Sequence, residues 1–265
     1  MNVIVLLKQV PETTNVKMDE STGTMIREGV ESIVNPLDLY AIEEALQLRE
    51  EHGGQVTAIT MGPPACGKAL REAVAMGCDR AIQASHAKFA GADTWATSYV
   101  LSETVKQQAG EFDLILCGER ATDGDTGQVG PGVASFLHLP LVTYVSAVSA
   151  ITAGGGNEAR VSRLTEGGYE QLRVPFPALL TVVKEISFPR LPTLRGKQRA
   201  KKLEVPVVGI DDLELDENAV GLQGSPTRVV KIFRPKVSRN GDMHVVTDET
   251  GIAAATDAVL RFIGH

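Results

Sequence analysis

Long apolar runs, paired cysteines and an excess of basic charge are all missing from this 265-residue chain, and each absence removes a class of function. No stretch reaches the roughly 18 to 20 consecutive apolar residues that a membrane-crossing helix needs. Met1-Asn2 leads straight into Val3-Ile4-Val5-Leu6-Leu7, without the basic region or small-residue cleavage site of a secretory leader, so a soluble, cytoplasmic protein is expected. Cys66, Cys78 and Cys117 stand far apart and form no Cys-x-x-Cys pair, which argues against a disulfide framework or a zinc cluster and leaves buried thiols as the expectation. The net charge of -7 argues against nucleic acid as the main partner, because phosphate binding usually needs a basic face. The five histidines are scattered, with none at metal-ligand or nucleophile spacing from cysteine or carboxylate, and His138 between Leu137 and Leu139 reads as structural. Internal repeats and low-complexity segments are absent as well.

What is present is an α/β rhythm, in a chain whose 43% hydrophobic content can bury a full core. Strand-like runs at Val3–Leu7, Val56–Met61, Arg80–Ala84 and Leu114–Cys117 alternate with helix-patterned segments at Leu39–Arg49, Ala65–Met76, about Asp93–Gln108 and about Gln128–Leu137. That order implies right-handed crossovers and a mainly parallel sheet with helices on both faces. Asn35 can cap a helix opened by Pro36, and Gly77 and Gly110 are expected helix stops. After Pro140 the texture changes. Val142–Ile151 and Ala159–Leu164 flank Gly154-Gly155-Gly156-Asn157 as an antiparallel hairpin would, Tyr169–Val183 adds strand, and these later strands are expected to form an antiparallel extension. Three segments follow from this reading: an α/β domain with its extension over 1–187, a basic helical stretch over 188–205, and a C-terminal arm over 206–265. The arm's Val229-Val230-Lys231-Ile232-Phe233 is too isolated to form a core, so it is expected to pack on something else, and a helix is expected over about Gly251–Ile263.

The run Asp123-Gly124-Asp125-Thr126-Gly127-Gln128-Val129-Gly130-Pro131 lies between a strand and a helix, where glycines let backbone approach a ligand and the helix start offers unpaired N–H groups to a phosphate. A solvated acidic turn fits the same residues. Asp123 and Asp125 suit ribose hydroxyls or a metal, or simply shape that turn. Gly62-Pro63-Pro64-Ala65-Cys66-Gly67-Lys68 has phosphate-loop spacing, but Ala69 replaces the required hydroxyl and two prolines delete N–H donors, so it is set aside. No Gly-x-Gly-x-x-Gly follows the first strand. Lys8-Gln9-Val10-Pro11 stands there instead, and a strand-end lysine meets either a ligand or solvent. The basic residues Arg190, Arg195, Lys197, Arg199, Lys201 and Lys202 read as a solvated helix face, or as steering charges around an apolar anchor, Leu194.

With these residues in view, the chain resembles the beta subunit of electron transfer flavoprotein. The resemblance is carried by Val5–Pro11, Asn35-Pro36-Leu37-Asp38, Ala75–Arg80, the Asp123 loop, and Glu166-Gly167-Gly168-Tyr169-Glu170 followed by Pro177–Val182. It implies a three-layer α/β/α nucleotide-binding, Rossmann-like domain with a mainly parallel sheet, an antiparallel extension and a C-terminal arm packed on an alpha subunit that carries most of a second FAD site. By position, Leu6, Lys8, Asn35, Pro36, Leu37, Asp38, Met61, Asp123, Gly124, Asp125, Thr126, Gly127, Gln128, Val129, Gly130 and Ala134 would line the nucleotide, and Leu194 would fall in the loop that recognises a partner dehydrogenase.

The loop's Gly-Gln-Val-Gly-Pro ending, and the arm segments Gly221–Thr227 and Lys231–Pro235, resemble the electron-bifurcating members, whose beta subunit binds FAD rather than a structural AMP. Gly124 leaves room for a pyrophosphate where a bulkier acid would crowd and repel it. In such members NADH delivers hydride to the beta-subunit FAD, and the electrons divide between ferredoxin and an acyl-CoA dehydrogenase. The alternatives are a carrier with AMP between a dehydrogenase and a quinone oxidoreductase, and a stand-alone nucleotide-binding signalling domain.

Overall fold

A computed structural model describes residues 1–12, 31–152, 158–230, 243 and 246–263, with backbone alone at 149–152. The hairpin tip expected at Gly154–Asn157 and residues 231–242 of the arm lie outside these. The chain divides into two compact units, Met1–Val229 and Val230–His265.

The first unit is built on β1 (Asn2–Leu6), whose sequence is apolar at successive positions because both of its faces are covered. Val3 and Val5 enter one core and Ile4 and Leu6 the other, as the two-residue strand period requires. A short antiparallel pair, β2 (Gln9–Pro11) and β3 (Ser32–Val34), flanks the exit from β1. Then come α1 (Pro36–His52), β4 (Gln55–Met61), α2 (Gly67–Met76), β5 (Arg80–Ala84), α3 (Thr94–Thr104), β6 (Leu114–Gly118) and α4 (Val129–Phe136). The remainder is β7 (Leu141–Thr152), β8 (Glu158–Thr165), β9 (Gly168–Pro175), β10 (Ala178–Val182), α5 (Leu194–Lys202), β11 (Val207–Val208) and α6 (Gly221–Gly224).

Nine strands form one sheet in the order β11-β5-β4-β1-β6-β10-β7-β8-β9. All pairs from β11 to β7 are parallel, whereas β7–β8 and β8–β9 are antiparallel. Ile42 and Leu46 of α1, Leu70 and Val74 of α2 and Ala200 of α5 close one face. Val100 and Leu101 of α3 and Val133 of α4 close the other, joined by Val208 of β11 and by Ile210, Leu213 and Val220 from the chain that follows it.

The α/β/α architecture agrees with the sequence reading, with one correction. The late strands are not all an antiparallel extension, because β10 inserts between β6 and β7 as a parallel strand. All five residues of β10 are buried, and that continuous apolar run suits a strand covered on both faces rather than an alternating edge. Gly77 ends α2 with φ 146°, and Gly110 ends the π-helical turn Val105–Ala109 that continues α3, with φ 79°.

In the second unit, α7 (Glu249–Ile263) starts at Asp248, whose Oδ1 accepts from the Thr250 hydroxyl at 2.6 Å and the Gly251 N–H at 2.8 Å. Its Ile252, Val259, Leu260 and Ile263 are exposed and lie at helical spacing, so they form one uncovered apolar stripe within the unit. No helix among the described residues is long and apolar enough to cross a membrane.

Candidate functional site

The connections from β1 to β4 and from β4 to β5 run outward on one side of β1, and the chain then returns to lay β6 on its other side. That reversal opens a crevice beyond the carboxyl ends of β1 and β6, the place where open α/β sheets bind ligands. Asp38, in the first turn of α1, is the tie across it. Its Oδ2 accepts from the Lys8 N–H at 2.8 Å, just past β1, and its Oδ1 from the Gly118 N–H at 3.0 Å, at the end of β6. Burial pushes the Asp38 carboxyl up to about 7, against these N–H bonds and the Asn35 side chain, which pull it down. Gly118 has to be glycine, because a Cβ there would lie 2.6 Å from Asp38 Oδ1 and 2.8 Å from the Leu37 carbonyl carbon.

Asn35 does not play the part its position suggested. It precedes α1 but makes no side-chain cap. Its Nδ2 instead donates to Arg120 O at 2.9 Å and its Oδ1 accepts from the Thr122 N–H at 3.2 Å, so a buried amide fastens the start of the loop that leaves β6. Further along, Lys8 Nζ meets Asp123 Oδ1 at 2.7 Å and Arg120 Nε meets Asp125 Oδ1 at 2.8 Å. Asp125 and Gly127 take positive φ, 54° and 62°, turning the chain into α4. Thr126 and Gly127 make no hydrogen bond among the described residues, and the N–H groups of Val129 and Gly130 sit in the first helical turn, where the helix holds no acceptor for them. Those donors, with the Thr126 hydroxyl and Gln128 amide beside them, form a set suited to a phosphate. A Cβ on Gly124 would meet nothing within 4 Å, so the fold does not require glycine at that position.

The crevice thus brings together Lys8, Asn35, Pro36, Leu37, Asp38 and the Asp123–Gly130 loop. Met61 ends the neighbouring β4, half-buried, while Leu6 and Ala134 lie beneath in the buried core. Leu194 lies elsewhere, exposed at the start of α5. Sequence reasoning passed over Arg120 and Gly118. Arg120 had no signal, its partner being an ordinary loop acid, whereas a glycine closing an apolar strand was a readable sign of close backbone approach. The phosphate-loop-like segment folds as a 3-10 turn at Pro64–Cys66, with Gln83 Nε2 donating to Pro63 O at 2.7 Å. All three cysteines are buried, and no cluster of three or more metal-ligating side chains occurs among the described residues. A shallow concavity at Asn2, Glu111, Phe112 and Pro177 opens at the opposite, amino-terminal ends of the strands.

The family described as electron transfer flavoprotein domain matches residues 22–213. The chain is 48% identical over 244 residues to the electron transfer flavoprotein subunit beta of Thermoanaerobacterium thermosaccharolyticum, covering 92% of each chain. It is 42% identical over 262 residues to the caffeyl-CoA reductase-Etf complex subunit CarD of Acetobacterium woodii, covering 98% of each. To the acryloyl-CoA reductase electron transfer subunit gamma of Anaerotignum propionicum it is 37% identical over 267 residues, again with 98% of each covered. The family match and likeness along nearly the whole length of such relatives lead to one conclusion: the chain belongs to the electron transfer flavoprotein beta-subunit family.

Proposed function

We propose that this chain is the beta subunit of a heterodimer that accepts hydride from NADH on an FAD held in the crevice and divides the electrons between ferredoxin and an acyl-CoA dehydrogenase. The observation that carries this reading is the crevice itself: unpaired donors at Thr126–Gly130 stand beside open space at Gly124, so the loop accommodates a pyrophosphate that continues outward. Names of relatives from CoA reductase complexes favour the same reading.

The donor set fits an FAD. Thr126, Gln128 and the first N–H groups of α4 would hold the pyrophosphate, while the Asn35–Asp38 turn, Met61 and Asp123 would hold ribose and adenine. When bound, the flavin supplies acceptance of an electron pair and release of single electrons, which no side chain here provides. The chain's own part is placement. Asp38 keeps the ends of β1 and β6 in register, Asn35 fixes the loop, and the Lys8–Asp123 pair holds its acidic tip toward the crevice. Three segments divide the work: 1–187 binds the nucleotide, 188–205 meets the dehydrogenase through Leu194, and the arm 206–265, whose start is buried in this chain's own core through Val208, Ile210, Leu213 and Val220, packs its remainder on the alpha subunit.

Acid extraction of the purified heterodimer tests this directly. Two FAD and no AMP per heterodimer are expected. One FAD with one AMP would overturn it in favour of a carrier working between a dehydrogenase and a quinone oxidoreductase, and a stable monomer without flavin would favour a stand-alone nucleotide-binding domain.

A further inference from the structure

The segment from Ser187 to Arg199 makes a contact at every third residue, to the body of the protein at Ser187, Arg190, Gly196 and Arg199 and within the segment at Thr193. Ser187 Oγ donates to Tyr40 O of α1 at 3.2 Å. Arg190 grips Glu43 and Glu50 of α1. Thr193 Oγ1 accepts from the Gly196 N–H at 2.9 Å and opens α5. Gly196 lies so close to α2 that a Cβ would fall 2.0 Å from Ala75 O. Arg199 donates to Val74 O at 2.9 Å and also to Cys78 O. One residue after Ser187, Arg190 and the helix cap Thr193 stands a large apolar side chain left in solvent: Phe188 at 90%, Leu191 at 86% and Leu194 at 75% exposure. Pro189 and Pro192 restrict φ between the anchors.

Arg190 makes the strongest of these attachments. Its Nε donates to Glu43 Oε2 at 2.8 Å and its Nη2 to Glu43 Oε1 at 3.0 Å, a two-point fork, and its backbone N–H donates to Glu43 Oε2 at 3.0 Å. The same guanidinium reaches Glu50, through Nη2 to Oε2 at 3.1 Å and through Nη1 to Oε1. Glu43 and Glu50 are seven residues apart on α1 and so share one face, and only a planar guanidinium serves both at once. Burial raises the Glu43 carboxyl, but the bonds from Arg190 and Gln47 outweigh it and leave it below the usual range. The exposed apolar groups gain nothing from burial in this unit, and ordering them beforehand lowers the entropy lost on association.

We propose that Arg190 is a positioning residue that holds the stripe Phe188, Leu191 and Leu194 in docking geometry by fastening it to α1, an inference that rests on the docking role given to Leu194 above. Because the Asn35–Asp38 turn opens the same helix, the stripe and the nucleotide crevice are fixed to one element.

The test uses the full heterodimer as electron acceptor from purified butyryl-CoA dehydrogenase and butyryl-CoA, with heterodimer concentration varied. Arg190→Ala is expected to raise KM about tenfold or more, with kcat and flavin per heterodimer unchanged, because docking loses preorganisation while chemistry does not. Arg190→Lys, which cannot fork onto two carboxylates, should fall between the two. Glu50→Gln, an exposed change that leaves the Glu43 fork in place, should raise KM less and serves if the alanine variant fails to fold. A wild-type KM in Arg190→Ala or, where that variant does not fold, in Glu50→Gln overturns the proposal. So does a fall in kcat and flavin content at constant KM, which would mark a purely structural role. Leu194→Ala separates the two levels. If it raises KM and Arg190→Ala does not, docking stands and the positioning role fails. If it leaves KM unchanged, the docking role falls and the positioning role with it.

Discussion

Asp38 and Glu43 lie five residues apart on α1, both with buried carboxyl groups, yet they are displaced in opposite directions. At Asp38 burial wins over two backbone N–H bonds. At Glu43, which is less deeply enclosed, burial is outweighed by the bonds from Arg190 and Gln47 and by the charge of Arg190. Hydrogen bonds from neutral donors leave much of the cost of a buried charge in place, and a guanidinium removes more of it. The amino end of α1 is therefore a tightly packed junction of backbone groups, and its middle is an electrostatic fastening for a surface loop.

The strongest way to break the contrast is steric. Gly118→Ala should destabilise the protein by about 3 kcal/mol in urea unfolding, because a methyl group would meet the Leu37 backbone as well as Asp38. Gly124→Ala, on the same loop connection but with open space around it, should stay within about 0.5 kcal/mol while lowering flavin retention.

Next in size is Asp38→Asn, expected to cost about 2 kcal/mol, since the amide offers one acceptor where two N–H groups need one each. It should also flatten the pH dependence. With a folded-state value of about 7 against an ordinary value of 3.8, native Asp38 holds its proton where the unfolded chain has lost it. Its contribution to stability therefore falls as pH rises between those two values. Glu44, pushed up to about 7 by burial and then by Glu43 and Glu51, contributes with the same sign, so the variant should keep part of the slope.

Arg190→Ala should cost about 1 to 2 kcal/mol at neutral pH, mostly through the buried Glu43 left unpaired, since half-exposed Glu50 is screened. Glu43 and Glu50 are held below their ordinary range, so this stability is present above that range and lost as pH falls through the lowered values. Melting curves of wild type and variant should accordingly converge in acid. Thr193→Ala, which removes the cap of α5, should cost about 1 kcal/mol with no pH dependence.

The strand and helix order through α4, apart from the short pair β2 and β3, was legible because each element carries its own period and its own punctuation, such as Pro36 opening α1 and Gly77 closing α2. The place of β10 was not. Its run Ala178–Val182 announced burial on both faces, but no local signal says which two strands will flank it. At the candidate site the Asp123 loop was legible from its glycines and acids. Asn35 was misread as a cap because capping is a local preference, whereas its real partners, Arg120 and Thr122, lie 85 and 87 residues away.

The sequence by itself determined the α/β order, the acidic net charge, the strand-to-helix loop at Asp123 and the apolar residues of the 188–194 segment, since all of these rest on residue type and short spacing. Tertiary structure alone decided that Asp38 joins the ends of β1 and β6, that Lys8 meets Asp123, and that Arg190 fastens the exposed stripe to α1. Those contacts span 30 to 147 residues, and they form only where the sheet's reversal and the packing of α1 bring distant segments within hydrogen-bonding reach.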